Sequence, residues 1–246
     1  MTDRRSLLEA YRERPYRNIF VALIAVVLID ALAPNTIAGG RFSDLMVAAI
    51  LIAALIETVR MPHNSIWALV LGLPAIAARF VAAFLPYSMM RNTAVLVVTA
   101  VFFVFLIWNL LHDLNTSDRP TSEKIFGALC AYIFIGLLFA LFFTHLEYWD
   151  PGSFSISNDL LAEKVAGGTM HLQTFTYFSF VTMTTLGYGD ITPVTENAQT
   201  VAWLEALIGQ LYLAVMVAGF VATHISESMR KNRGDPPSDG SGGSPS

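Results

Sequence analysis

The chain has 246 residues, 54% of them hydrophobic and 14% charged, with a mean hydropathy of +0.55. That balance excludes an ordinary soluble domain and suits a polytopic membrane protein. The formal net charge of −4 decides little, because in a membrane the placement of charge matters more than its sum.

A basic segment opens the chain, with Arg4, Arg5, Arg12, Arg14 and Arg17 ahead of an apolar run that ends Ala31-Leu32-Ala33. The small-x-small ending has the form of a signal cleavage site. Pro34 directly after it hinders cleavage and the basic segment is long for that role, so a retained first helix is expected. A hydrocarbon core needs about 20 apolar residues per helix. The runs that meet this need are 18–34, 43–59, 65–86, 92–112, 124–146 and 198–226. The predicted fold class is therefore an all-α membrane protein with six transmembrane helices. A seventh apolar stretch, near 172–184, is too short to cross. A short helix that enters and returns as extended chain is tolerated only where protein or a water cavity surrounds it. The stretch thus reads as a re-entrant pore helix between helices five and six.

The predicted organisation is a cytoplasmic segment 1–17, a four-helix domain 18–112, a cytoplasmic linker 113–123, a pore domain 124–229 and a disordered tail 230–246. Gly, Pro, Ser and Asp dominate that tail and cannot bury apolar surface, so no cytoplasmic ligand-sensing module is expected after the last helix. With both termini inside, Arg4, Arg5, Arg12, Arg14, Arg17, Arg60, Arg119, Lys124, Arg230, Lys231 and Arg233 lie on the cytoplasmic side. Arg41, Arg79, Arg91 and Lys164 remain toward the outside, and the positive-inside rule supports this arrangement. Arg79 falls in an outer half-membrane at a depth similar to Asp30 and Asp44. An ion pair is the expected use, with a residual voltage sensor as the alternative. The fourth span contains no Arg or Lys.

Cys130 is the single cysteine, inside an apolar run, so no intrachain disulfide can form. Residues 147–171 read as an outer loop, with Trp149 at the interface and Pro151-Gly152 as a turn. Glu147, Asp150, Asp159 and Glu163 make it acidic; it either enriches cations near a pore mouth or is simply a solvated loop. His63, His112, His145, His171 and His224 are scattered, without a tight ligand spacing, and no G-x-S-x-G or P-loop motif appears. No enzyme and no cofactor is expected, and membrane lipid rather than nucleic acid is the expected surrounding.

Between the short apolar stretch and the last span stands Thr182-Met183-Thr184-Thr185-Leu186-Gly187-Tyr188-Gly189-Asp190. A dehydrated cation needs oxygen ligands, and backbone carbonyls supply them when successive peptides point one way. An ordinary strand alternates its carbonyls. Glycine adopts positive φ at least steric cost, so Gly187 and Gly189 can break that alternation. Thr185 adds a hydroxyl oxygen below the carbonyls, while Leu186 and Tyr188 point outward and pack behind the strand. Asp190 lies at the mouth, where negative charge concentrates cations.

Residues 185–190 resemble the selectivity filter of potassium channels, and Thr182–Thr184 match the usual run leading into it. Leucine stands at 186 where valine or isoleucine is commoner, leaving the carbonyls in place but losing β-branch stiffness. The resemblance implies a potassium-selective channel, with K⁺ bound by Thr185, Leu186, Gly187, Tyr188 and Gly189. One strand cannot surround an ion, so a single copy per chain implies a homotetramer around a central axis. A pore helix near 173–184 would aim its partially negative C-terminal end at a cation below the filter. Outside orientation for Asp190 agrees with the charge placement above, and a bacterial plasma membrane is the implied location.

In related channels a pore-helix aromatic hydrogen-bonds the aspartate after the filter. By offset that position is Tyr177, followed by Phe178; a packed interfacial aromatic is the alternative. Gly209 lies nineteen residues after Asp190, at the spacing of an inner-helix hinge, with close helix packing as the competing use. Leu213, Val217 and Val221 share a helical stripe and are candidates for a dewetting gate, or for a lipid-facing or packing stripe. Related voltage sensors carry a basic residue at every third position of the fourth helix, which this chain lacks. Glu205 sits among Trp203, Leu204, Ala206 and Leu207, where a lone carboxylate is a functional-site candidate. It is expected to face the back of the pore helix or filter and to hydrogen-bond there, with the hydroxyls of Thr182 and Thr184 as candidate partners; tying helix six to a neighbour is the alternative. Rival functions are a non-conducting membrane sensor or accessory subunit, a weakly selective cation channel and an integral-membrane enzyme.

Overall fold

The computed structural model describes residues 15–32, 40–59, 65–85, 89–116, 121–157 and 172–232. Its helices are α1 (Pro15–Leu32), α2 (Gly40–Val59), α3 (Ser65–Phe84), α4 (Met89–Thr116), α5 (Thr121–Trp149), α6 (Leu172–Met183) and α7 (Glu196–Asn232). Two short strands, β1 (Phe154–Ile156) and β2 (Ile191–Pro193), pair antiparallel with Ser155 opposite Thr192. The described chain is mostly helical.

Among the described residues four helical segments are long and apolar enough to cross a membrane: Ser65–Phe84, Met90–Leu114, Thr121–Trp149 and Glu196–Ala222. Shorter apolar helices occupy Tyr16–Ile29 and Leu45–Ile56. This is a multi-pass membrane protein. Some boundaries differ from those expected. α5 runs on to Trp149, so Glu147 belongs to a helix end and the outer loop starts later. The expected linker 113–123 is helical over much of its length, because α4 continues to Thr116 and α5 starts at Thr121.

Two compact units divide at Gln210. The first holds α1 to α6, the ribbon and the part of α7 up to Gln210. In it α1 packs on α2, α2 on α3 and α3 on α4, while α5 touches α1, α4 and α6. α5 is accordingly the most buried of the long apolar helices. The second unit, from Leu211, contributes the remaining turns of α7.

Polar contacts join the ends of the first helices. The buried Tyr16 gives its N–H to Glu123 Oε2 at 3.1 Å and its hydroxyl to Asp113 Oδ2. α1 is thereby tied to the α4–α5 joint. Cys130 is buried and directs its thiol to Tyr16 O. Arg79 is buried in α3, and its Nε donates to Thr99 Oγ1 of α4 at 3.2 Å. The side chains of Asp30 and Asp44, the expected ion-pair partners of Arg79, lie outside the described residues. So do residues 1–14, Arg60, His63, Arg119, Asp159, Glu163, Lys164, His171, the His224 side chain and the tail from Arg233.

Candidate functional site

The site is built from the end of α6. Leu186 N–H donates to Val181 O and Thr185 N–H to Thr182 O, both at 3.0 Å. With Thr185 at φ +61°, this is the double-bonded helix stop in which the residue after the cap turns left-handed. Glycine usually holds that position. A β-branched residue there is a true backbone outlier and stores about 1–3 kcal/mol of strain.

The left-handed turn does not remain isolated. Gly187 has φ +53° and Gly189 φ +77°, whereas Leu186 and Tyr188 are absent from the positive-φ set. Positive-φ residues therefore alternate with residues that lack it from Thr185 to Gly189. A strand keeps φ negative throughout and its successive carbonyls face opposite ways; this loop does not keep φ negative. The loop is the one place among the described residues where three such turns recur at every second position.

Behind the loop stands an aromatic core. Phe143 of α5, Phe154 of β1, and Phe175 and Phe178 of α6 are buried together with Ile191, Ala198 and Ala202. Phe154 lies 4.8 Å from Phe175 and Phe143 lies 5.0 Å from Phe178, centroid to centroid and edge to face, the geometry that aromatic quadrupoles favour. The ribbon β1–β2 closes over this core. Glu147 fastens its start by accepting N–H bonds from Gly152 at 2.9 Å and Phe154 at 3.1 Å. Thr195 caps α7, with its Oγ1 accepting from Ala198 N–H at 3.4 Å.

Polar groups then hold the loop's outer end. Tyr177 Oη donates to Asp190 Oδ2 at 2.6 Å, and Asp190 Oδ1 accepts from Ile191 N–H at 3.1 Å. The bond to Asp190, more than burial, pushes the Tyr177 phenol up to about 12, so it remains a donor throughout the neutral range. Ser157 adds an unforeseen support: its N–H donates to Asp190 O at 2.9 Å and its hydroxyl to Gly189 O at 3.2 Å.

The inner end is held by α5 and α7. Met183 O accepts from Tyr132 Oη at 3.3 Å and from Gln210 Nε2 at 3.5 Å. Gly209 permits that approach, since a Cβ there would stand 2.5 Å from Met183 Cγ and 3.0 Å from Met183 O. The competing use of Gly209, close packing, thus has a specific partner. On α5, a Cβ at Gly136 would stand 2.9 Å from the Phe180 ring.

Glu205 is fully buried and faces α6, where its partner is Ser179 and not Thr182 or Thr184. Glu205 Oε1 lies 2.5 Å from Ser179 Oγ, which is also 2.7 Å from Gly136 O. Thr184 instead donates its hydroxyl to Phe180 O of its own helix. Helical phase explains the correction: Ser179 sits one turn before Met183, which faces Gly209, just as Glu205 sits one turn before Gly209.

Leu186 and Tyr188 are also placed differently from expectation. They are 57% and 66% exposed, so in the single chain much of each side chain is left uncovered by the described residues. Further along α7, in the second unit, Val217 and Val221 are exposed and Leu213 is half-buried.

Ser179, Gly136, Tyr132, Gln210 and Ser157 were missed in the sequence. None belongs to a local motif, and only the proximity of α5 and α7 to α6 reveals them. A serine within an otherwise aromatic helix face was the one available signal.

Residues 154–225 match the model of a family described as an ion channel. That stretch runs from β1 through the loop into α7 and is similar to an ion-channel pore module. Neither a curated protein nor a solved structure matches the chain.

Proposed function

We propose that this chain is one subunit of a homotetrameric, potassium-selective channel in a bacterial inner membrane. α1 to α5 and α7 would be its six transmembrane helices, with α6 the re-entrant pore helix. The observation that carries the reading is the recurrence of positive φ at every second position, Thr185, Gly187 and Gly189. Such alternation brings successive carbonyls to one side, as a dehydrated cation demands. Thr185, Leu186, Gly187, Tyr188 and Gly189 would provide the oxygens, and four copies would complete each ring of ligands.

Three features support assembly around an axis. Leu186 and Tyr188 are exposed in one chain. The space beside Gly187 and Gly189 is open. Trp203, Leu207 and Leu211 of α7 also leave large apolar surfaces uncovered. Voltage sensing in the usual manner is not part of the proposal, because α4 carries its one basic residue, Arg91, at its very start.

The test is reconstitution into liposomes with a K⁺ gradient and a flux readout. Selective K⁺ flux, with Na⁺ excluded, is expected. Equal K⁺ and Na⁺ flux would favour a weakly selective cation channel, and no flux from the assembled tetramer a non-conducting sensor or accessory subunit.

A further inference from the structure

The buried contact between α5, α6 and α7 carries an inference about protons. A serine hydroxyl owns one hydrogen. Ser179 Oγ lies within hydrogen-bond distance of two oxygens, Gly136 O at 2.7 Å and Glu205 Oε1 at 2.5 Å. A peptide carbonyl can only accept. Were Glu205 ionised, both neighbours would be acceptors and one of the two contacts would set lone pair against lone pair. Placing a hydrogen on Glu205 Oε1 resolves the conflict. The acid then donates to Ser179 Oγ and Ser179 donates to Gly136 O.

The other carboxyl oxygen points the same way. Glu205 Oε2 is buried and has no hydrogen-bond partner among the described residues. An unpartnered oxygen costs far more on a buried carboxylate than on the carbonyl of a neutral acid. No described cation offsets a charge here. α6 has no charged residue, the charged groups of α5 (Glu123, Lys124, His145 and Glu147) lie toward its ends, and Glu196 is the other acid on α7 within this unit. Tyr132 of α5 carries a titratable hydroxyl beside α6. It is itself directed to Met183 O.

We propose that Glu205 is a protonated positioning residue whose donated hydrogen bond latches α6 to α5 through Ser179. The latch works together with the Tyr132 and Gln210 bonds to Met183 O to hold the helix end from which the strained Thr185 departs. Ionisation of Glu205 turns the Ser179 hydrogen toward the carboxylate and releases Gly136 O. The latch is therefore present at low and neutral pH and is lost as pH rises. Its effect on conduction rests on the potassium-channel reading; its protonation does not.

Two measurements on the reconstituted full-length protein separate those claims. Infrared difference spectroscopy at neutral pH should show the carbonyl stretch of a protonated carboxylic acid that disappears in Glu205→Gln. In Ser179→Ala that band should shift to higher frequency as its acceptor is lost. No acid band in the parent, or a band unmoved by Ser179→Ala, overturns the inference whether or not the protein conducts. In flux assays Glu205→Gln, whose amide can donate to Ser179, should retain parental flux at neutral pH. It should also lose the alkaline fall shown by the parent. Glu205→Leu should reduce flux by about tenfold. A leucine variant that assembles and conducts like the parent overturns the latch. A parent without any K⁺ flux overturns the channel reading instead and leaves the infrared result to decide the protonation.

Discussion

Buried polar groups are used differently in the first four helices and around α6. Among α1 to α4 the contacts described above are Arg79 to Thr99 and Tyr16 to the α4–α5 joint, and no strained loop depends on them. Around α6 the contacts converge. Tyr132, Gly136 and Ser179 link α5 to α6, and Glu205, Gly209 and Gln210 approach the same turn and a half from α7. Tyr177 and Ser157 hold the far end of the loop. The difference follows from strain. A left-handed threonine persists only when its surroundings over-determine it, whereas regular helices need no such restraint.

The largest effect is expected at the loop itself. Gly187→Ala puts a Cβ on a residue at φ +53°, a conformation that L side chains disfavour. K⁺ flux should vanish while the tetramer still assembles, as judged by native electrophoresis and flux in parallel. Normal selective flux through an assembled Gly187→Ala channel would sink the carbonyl-ring reading.

Next comes a matched pair of core truncations. Phe154→Ala and Phe102→Ala each remove a buried ring and should each cost about 3–5 kcal/mol of stability. Only Phe154 belongs to the cluster behind the loop. Thermal unfolding should therefore show similar losses, while the K⁺/Na⁺ flux ratio falls in Phe154→Ala alone. An equal fall in both would mean that the two regions are not distinct in the way described above.

A smaller effect is expected at Gly209. Its new Cβ would meet Met183 Cγ at 2.5 Å and Met183 O at 3.0 Å, an overpacking cost of about 1–3 kcal/mol. Met183→Ala removes the first clash and should restore part of the stability and flux lost in Gly209→Ala. A hinge role alone predicts no such rescue.

The least change is expected from Arg79→Gln. One elementary charge crossing the whole field is worth about 2.3 kcal/mol per 100 mV, and α4 provides no ladder of such charges. Planar-bilayer recordings should show shallow voltage dependence in parent and variant alike. Steep activation that disappears in Arg79→Gln would make Arg79 a sensor and assign the first four helices a task that their packing does not suggest.

Much of this was legible in one dimension. Membrane helices are written as long apolar runs, so the approximate positions of the long apolar helices could be read before any contact was known. The loop was legible because its requirement is local: positive φ at alternate positions selects Gly187 and Gly189, and Asp190 follows in register. Thr185 exposed a limit of that reasoning. Its side chain was assigned a role as an oxygen ligand, but its left-handed backbone emerges only from how α6 ends.

Tertiary structure decided everything that depends on two distant segments meeting. Glu205 was marked by its apolar surroundings, yet its partner is Ser179 rather than Thr182 or Thr184. The relative phase of two packed helices cannot be read from either one alone. Gly209 had two possible uses in the sequence, and its proximity to Met183 gives one of them a concrete partner. Gly136 and Ser157 carried no signal at all, since a single glycine in an apolar helix and a serine in a loop are commonplace. What one residue type must do to its own backbone is encoded locally; which side chain shares a buried proton is settled only when the helices pack.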